Sequence, residues 1–167
     1  MFSLIALGSA HAEEGFYAGG MIIRTKVDVD GIGTVRPTVI GVRVGGALNR
    51  HVAFEARLGT GLQMDKVRFG GGEVNVSFDS LTGGYAKGLW PITDDLGVYG
   101  LAGYTQATQR LTGPGGSSTI TDVHLSYGAG IDIKLFGVAS VEVEYARLYK
   151  GSDYRVDGLT LGAAMKF

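Results

Sequence analysis

Four groups of residues in this 167-residue chain carry types and spacings that could do chemistry. Glu142 and Glu144 stand two apart, which places both carboxylates on one face of a strand, and a carboxylate pair is the apparatus of glycoside hydrolysis. His124 and Ser126 share that spacing, and an imidazole beside a hydroxyl can activate it as a nucleophile. Asp28-x-Asp30-Gly31 has the opening of a calcium loop, but the later ligand positions and the closing Glu are missing, so a polar turn is expected. Gly70-Gly71-Gly72 could approach a phosphate, yet no helix pattern follows and no Lys-Ser/Thr closes the motif. Cysteine is absent, which excludes disulfides and thiolate metal sites, and His11, His51 and His124 form no cluster, so neither metal nor cofactor is expected.

What must position these groups is a strand. From Val123 to Leu135 the odd positions are Val, Leu, Tyr, Ala, Ile, Ile and Leu, and the even ones are His124, Ser126, Gly128, Gly130, Asp132 and Lys134. Such period-two alternation gives one apolar face and one face of charge, hydroxyl and bare glycine. In a soluble barrel the wet face usually carries long solvated side chains. Glycine is a poor choice for an exposed strand face but fits the crowded bore of a closed barrel of about eight strands. The apolar face is therefore read as facing lipid. A soluble lipocalin-like carrier is the rival fold, and it requires the opposite facing of every strand.

The net charge of −1 gives no global case for nucleic acid, and the 29 glycines follow no collagen period. Residues 1–12 (MFSLIALGSAHA) read as a truncated secretory signal, with Ala10 and Ala12 at the positions a signal peptidase reads, leaving one domain over 13–167. No later apolar run approaches the ~20 residues of a transmembrane helix, and a membrane protein without one must be a closed barrel. Eight strands follow at regular spacing, near Gly15–Val27, Thr38–Leu48, Val52–Gln63, Val74–Trp90, Tyr99–Arg110, Val123–Leu135, Val141–Arg147 and Gly158–Phe167. Short turns alternate with longer loops, among them Met64–Glu73 and Leu111–Thr121, as expected when turns face the periplasm and loops face outward. The fourth strand breaks parity: Leu81, Tyr85, Lys87 and Leu89 share the spacing of Asn75, Ser77 and Asp79, and a bulge near Ser80 to Gly84 would switch its faces. Tyr17, Phe54, Trp90, Tyr99 and Phe167 fall near the periplasmic ends, where an aromatic girdle is expected.

The mature chain resembles the small eight-stranded outer-membrane β-barrel family of Gram-negative bacteria, the OmpA-like and opacity-protein-like group. The resemblance rests on Gly15-Phe16-Tyr17-Ala18-Gly19-Gly20, Val98 to Tyr104, Tyr127 to Asp132, Val143-Glu144-Tyr145 and Leu159 to Phe167. It implies an all-β, antiparallel up-and-down transmembrane barrel in the outer membrane, surrounded by lipid and lipopolysaccharide. It further implies a terminal Phe167 read by the barrel assembly machinery and a monomer that is not an enzyme. The family's carboxy-terminal peptidoglycan-binding domain is not read in these 167 residues, so a wall-tethering role is not expected. Outer-membrane lipid A deacylases resemble this fold and use a lipid-facing His-x-Ser pair, but His124 and Ser126 share the parity of Asp132 and Lys134, and Tyr127 stands where their Asn is expected.

The charges expected inside are Arg24, Lys26, Arg43, Glu55, Arg57, Arg110, Asp132, Lys134, Glu142, Glu144 and Lys166. Both signs occur, so an ion-paired plug is expected ahead of a narrow conducting path, because unpaired charge in a tight bore is costly. The function expected is envelope integrity or surface interaction through the loops. Because the loops read as short, structural support ranks slightly ahead of adhesion.

Overall fold

The computed structural model describes residues 15–29, 33–62, 65–69, 72–113, 116–150 and 154–167. Its strands are β1 (Gly15–Val29), β2 (Gly33–Val35), β3 (Thr38–Asn49), β4 (Val52–Gly61), β5 (Asp65–Phe69), β6 (Gly72–Pro91), β7 (Leu96–Gly113), β8 (Gly116–Leu135), β9 (Ala139–Lys150) and β10 (Tyr154–Lys166). They form one antiparallel sheet in the order β10-β9-β8-β7-β6-β4-β3-β1, closed by pairing of β10 with β1 from Tyr17↔Lys166 to Val29↔Tyr154. Closure leaves eight staves and no free edge within the ring. The short β2 and β5 extend β3 and β4 at the loop side. Between β2 and β3, Pro37 has no N–H to give the ladder, and Thr25 of β1 holds the break by donating its N–H and hydroxyl to the Pro37 carbonyl, at 3.0 and 2.7 Å.

The outer surface is apolar. Ile40, Val42, Val44, Leu58, Val123, Leu125, Ile131, Leu159 and Leu161 are exposed, while the alternate residues on the same strands face a packed bore. That is the inverse of a soluble barrel, so the lipid-facing reading holds and the lipocalin-like rival does not. At the turn side, Phe16, Phe54, Trp90, Phe136 and Phe167 form an outward aromatic ring. Tyr17 and Tyr99, expected in that ring, turn into the bore instead, and Tyr99 is buried.

Two further expectations are corrected. On β1 the buried set is Met21, Ile23, Thr25 and Val27, so Arg24 and Lys26 lie outside the bore. On β6 the register shifts between Phe78 and Ser80, just before the expected window, and Leu81, Tyr85 and Lys87 then face inward.

The bore has two storeys. The turn half holds Arg43, Glu55, Arg57, Lys87, Glu142 and Glu144, all buried; the loop half holds an apolar cluster of Met21, Ile23, Val27, Val39, Leu81, Leu148 and Val156.

The segments 64–73 and 111–121, read as loops, are instead largely strand. β6, β7 and β8 run 20, 18 and 20 residues, against the ~9–11 that cross a bilayer. β7 and β8 stay paired out to Gly113↔Gly116, whereas β8 pairs with β9 only between Tyr127↔Arg147 and Leu135↔Ala139. β6, β7 and β8, with the short β5 paired to β6 from Asp65↔Val76 to Phe69↔Gly72, therefore rise beyond the ring as a wall on the loop side.

The facing predicts a depth-dependent cost. At about 3.3 Å per residue and a tilt near 40°, Ile131 lies about 10 Å and Leu125 about 25 Å above Leu135. Ile131→Arg is expected to cost about 2–4 kcal/mol and Leu125→Arg about 0–1, measured by urea unfolding in lipid vesicles. Equal costs for the two would contradict this depth assignment.

Candidate functional site

The charged storey is assembled by alternation. Glu55 and Arg57 on β4, and Glu142 and Glu144 on β9, are each two residues apart, so each pair points into the bore from one stave. β4 and β9 are separated by four steps in the ring of eight, so they face each other across its diameter. Arg57 spans that gap with a two-pronged bond to Glu144, Nη1 to Oε1 at 2.6 Å and Nη2 to Oε2 at 2.7 Å. Its Nε also donates to Glu55 Oε1 at 2.6 Å. A guanidinium fork matches a carboxylate in this way, and a Lys could not make the same contacts.

A second brace crosses beside it. Lys87 of β6 sits between Glu55 Oε2 at 3.3 Å and Glu142 Oε2 at 3.2 Å. Arg43 of β3 pairs with Glu142 and stands 3.8 Å from Glu55. Arg43, Arg57 and Lys87 thus match Glu55, Glu142 and Glu144 three against three, all almost fully buried.

Tyrosines complete the acceptors: Tyr17 donates to Glu55 Oε2 at 2.6 Å and Tyr99 to Glu144 Oε2 at 2.9 Å. The ring faces serve the cations, with Lys87 Nζ 3.9 Å from the Tyr99 centroid and Arg57 Cζ 4.7 Å from that of Tyr85. Glycine makes room for two of these rings. Tyr17 pairs in register with Gly45 and Tyr99 with Gly130, and a Cβ at either glycine would fall 2.3 or 2.6 Å from the ring.

Above the charges runs a chain of hydroxyls. Tyr85 and Thr105 are 2.6 Å apart, Thr105 and Ser126 are 2.6 Å apart, and Ser126 Oγ donates to the Leu148 carbonyl at 2.7 Å. Ser126 is fully buried and the His124 ring centre lies 3.6 Å from that of Tyr149 with the planes tilted by 58°, so the His-x-Ser pair faces the bore and its hydroxyl is committed to the backbone. Glu142 and Glu144 are each bound to cations, which leaves no free dyad for glycoside chemistry.

Of the charges expected inside, Arg43, Glu55, Arg57, Glu142 and Glu144 meet in one network. Asp132, Lys134 and Lys166 line a vestibule of about 170 Å³ at the turn-side mouth, below that network. Arg24 and Lys26 lie outside for a physical reason: inward charge on β1 at that height would fall among the apolar cluster of Ile23, Val27 and Val156. The Arg110 side chain, Asp30, Gly70 and Gly71, and residues 1–14 lie outside the described residues. Among the described residues no group of acids and histidines could hold a metal.

Sequence reasoning missed Lys87 and the two tyrosines. Lys87 was hidden by the parity break in β6; the signal for Tyr17 and Tyr99 was the glycine opposite each.

A closed antiparallel barrel with an apolar exterior and a packed, charged interior is a transmembrane β-barrel. The chain belongs to the outer membrane protein beta-barrel domain family, whose model matches residues 1–167, and its place is the Gram-negative outer membrane. The fold is similar to that of Ail, the attachment invasion locus protein of Yersinia pestis, with TM-score 0.70 and 18% identity over 92% of this chain and 99% of that one. It is also similar to Neisserial surface protein A (TM-score 0.68, 15% identity, 92% and 97% covered) and to OprG of Pseudomonas aeruginosa (0.60, 12%, 94% and 97%). No curated protein matches the sequence closely enough to count as a relative.

The cross-bore fork predicts an asymmetric mutant pair. Glu144→Ala leaves Arg57 buried without its main partner and is expected to cost about 3–5 kcal/mol in detergent or vesicles. Replacing Arg57 and Glu144 together with Met and Leu is expected to recover most of that loss. Unchanged stability in Glu144→Ala, read from urea midpoints, would show that the fork does not hold the barrel.

Proposed function

We propose that this chain is a sealed, non-enzymatic outer-membrane barrel whose work is surface interaction, carried out by the wall of β6, β7 and β8. The observation that carries the reading is the combination of a blocked bore and three strands twice the length a bilayer needs. In the loop half the bore is filled by the apolar cluster, and the cavity beside it, lined by Thr25, Leu81, Thr105 and Val156 among others, has a volume of about 10 Å³. That is too small for hydrated ions, which weighs against the conducting alternative. The committed Ser126 hydroxyl weighs against a lipid hydrolase.

The wall offers a surface of short polar and apolar side chains. Tyr104, Ile120 and Val123 are exposed along it, Gln106 and Ser118 to Thr121 are exposed beside them, and Thr108 meets Thr121 at 3.1 Å. Surfaces of this composition bind through aromatic and aliphatic anchors with hydroxyl hydrogen bonds around them. Ail, whose fold is similar, bears a name of attachment and invasion and has been seen with a heparin analogue. The described side chains of the wall are chiefly aromatic, aliphatic and hydroxyl-bearing, a composition that suits a protein surface. Wall length also reverses the ranking drawn from short loops, and adhesion now stands ahead of purely structural support.

Two measurements test the reading. The refolded barrel in planar bilayers is expected to show no conductance steps, and discrete steps would favour the pore. Closing the β7–β8 hairpin by a tight turn just beyond Thr108 and Thr121 is expected to leave heat-modifiable migration intact. Attachment of barrel-bearing cells to an epithelial monolayer is expected to fall by an order of magnitude, and unaltered attachment would return the role to envelope integrity.

A further inference from the structure

β1 carries its charge on the opposite face from β3, β4 and β9. Arg24 and Lys26 are exposed outside the barrel, between the buried Ile23, Thr25 and Val27. Arg24 pairs in register with Leu159 of β10 and Thr38 of β3, and Ile22 precedes it on the same outward face. Phe16, in the turn-side aromatic ring, is eight residues below. At about 3.3 Å per residue and a tilt near 40°, Arg24 stands about 20 Å higher, close to the upper border of a ~25 Å apolar band. A lipid-facing cation is costly at mid-depth and tolerated near the interface, so Arg24 and Lys26 sit at headgroup level.

Other cations gather on this side of the ring: Arg36 after β2, Arg147 on β9 and Arg155 on β10. Among the described residues, two carboxylates answer them. Asp28 takes Lys26 at 2.9 Å and Arg155 at 3.2 Å, and Asp157 takes Arg147 at 2.9 Å and Arg155 at 3.2 Å. Arg24 has no ion pair among the described residues. At comparable height on β4, β6, β7 and β8 the outward positions are Thr60, Thr82, Gln106, Val123 and Leu125, none of them charged. Among the described side chains at this height, the cations therefore stand on one side of the ring.

Beneath these cations lies a cleft of about 270 Å³ lined by Arg24, Lys26, Arg36, Tyr145, Asp157 and Leu159. Its upper wall is cationic, and its lower wall, Tyr145 and Leu159, is half exposed toward the hydrocarbon. An amphiphile with a phosphorylated head and acyl chains fits both walls at once: guanidinium groups fork onto phosphate, basic clusters at a membrane surface draw anionic lipid, and a tyrosine belongs at that depth. We propose that the β9–β10–β1–β3 side of the barrel binds the phosphate-bearing head of an outer-leaflet glycolipid, with Arg24 and Lys26 as the principal contacts. A soluble sulfated glycan fits less well, because Arg24 stands beside lipid-facing Leu159 and not on the projecting wall.

The test uses the full chain refolded into phosphatidylcholine nanodiscs, alone or containing lipopolysaccharide, dephosphorylated lipopolysaccharide or phosphatidylglycerol. The readout is the temperature at which the fast-migrating unboiled band is lost. Intact lipopolysaccharide is expected to raise that temperature by several degrees, as a ligand specific to the folded state must, and the dephosphorylated form is not. The double variant Arg24→Gln/Lys26→Gln is expected to lose at least half of the increment, whereas Arg50→Gln, at a periplasmic turn, keeps it. An equal increment with dephosphorylated lipopolysaccharide, with phosphatidylglycerol, or in the double variant would overturn the proposal. So would its reproduction by soluble heparin or inorganic phosphate. Should the double variant fail to refold, the dephosphorylated lipid decides the matter on the unmodified chain.

Discussion

Everything inside this barrel is arranged around one guanidinium. Arg57 joins β4 to β9 across the full diameter of the ring, and its two-pronged bond to Glu144 fixes how far apart those staves stand. Buried in a dry bore, a charge of this kind is tolerable only when every donor is answered, and Glu55 and Glu144 answer it from both sides. Three cations against three carboxylates is the smallest arrangement that also places Lys87 and Arg43, and it leaves the storey neutral. The glycines follow from the same constraint. Tyr17 and Tyr99 can reach the carboxylates only by lying flat over Gly45 and Gly130, so the residues that look least informative in the sequence set the clearance of the network.

The apolar storey above has a different logic. Ile23, Val27, Val39, Leu148 and Val156 fill the bore toward the loops with side chains that need no partners. A charged layer capped by an apolar one is well suited to staying closed. Water that reached the ion pairs would weaken each of them, and the apolar layer keeps it out from that side. The hydroxyl chain through Tyr85, Thr105 and Ser126 marks the boundary between the two. With the interior sealed and its buried cations and carboxylates paired, interaction with other molecules is left to the exterior.

Much of this was legible in the sequence. The alternation of Val123 to Leu135 with glycine on its polar face gives the barrel, its facing and the inward Glu142, Glu144, Arg43, Glu55 and Arg57, because strand periodicity is local and lipid tolerates only one face. Lys87 was obscured because a bulge at Asp79 resets parity, and its position depends on the pairing of β6 with β7, which is not local. Tyr17 and Tyr99 were misassigned because aromatics near a membrane interface have two good places, the headgroups outside and a polar bore inside. The register opposite a glycine decides between them, and register is known only from the fold. The hairpin tips were read as loops from their Gly, Ser and Pro content, although the strands of β7 and β8 continue to Gly113 and Gly116.

The misplacement of Arg24 and Lys26 has a more general cause. Counting charge as inward assumes that the outside of a barrel is lipid at every height, and that holds only within the apolar band. β1 begins below the band and ends above it, so one outward face passes from Ile22 to Arg24 to Lys26 as its surroundings pass from hydrocarbon to headgroup. Inside, the same ascent runs from Tyr17 in the charged storey to Ile23 and Val27 in the apolar one. The two faces of β1 therefore exchange polarity along its length, in opposite senses. A fixed parity rule fails on such a strand, whereas a rule that asks what surrounds each face at each height assigns Arg24 and Lys26 to the outside and Tyr17 to the inside with no shift of register.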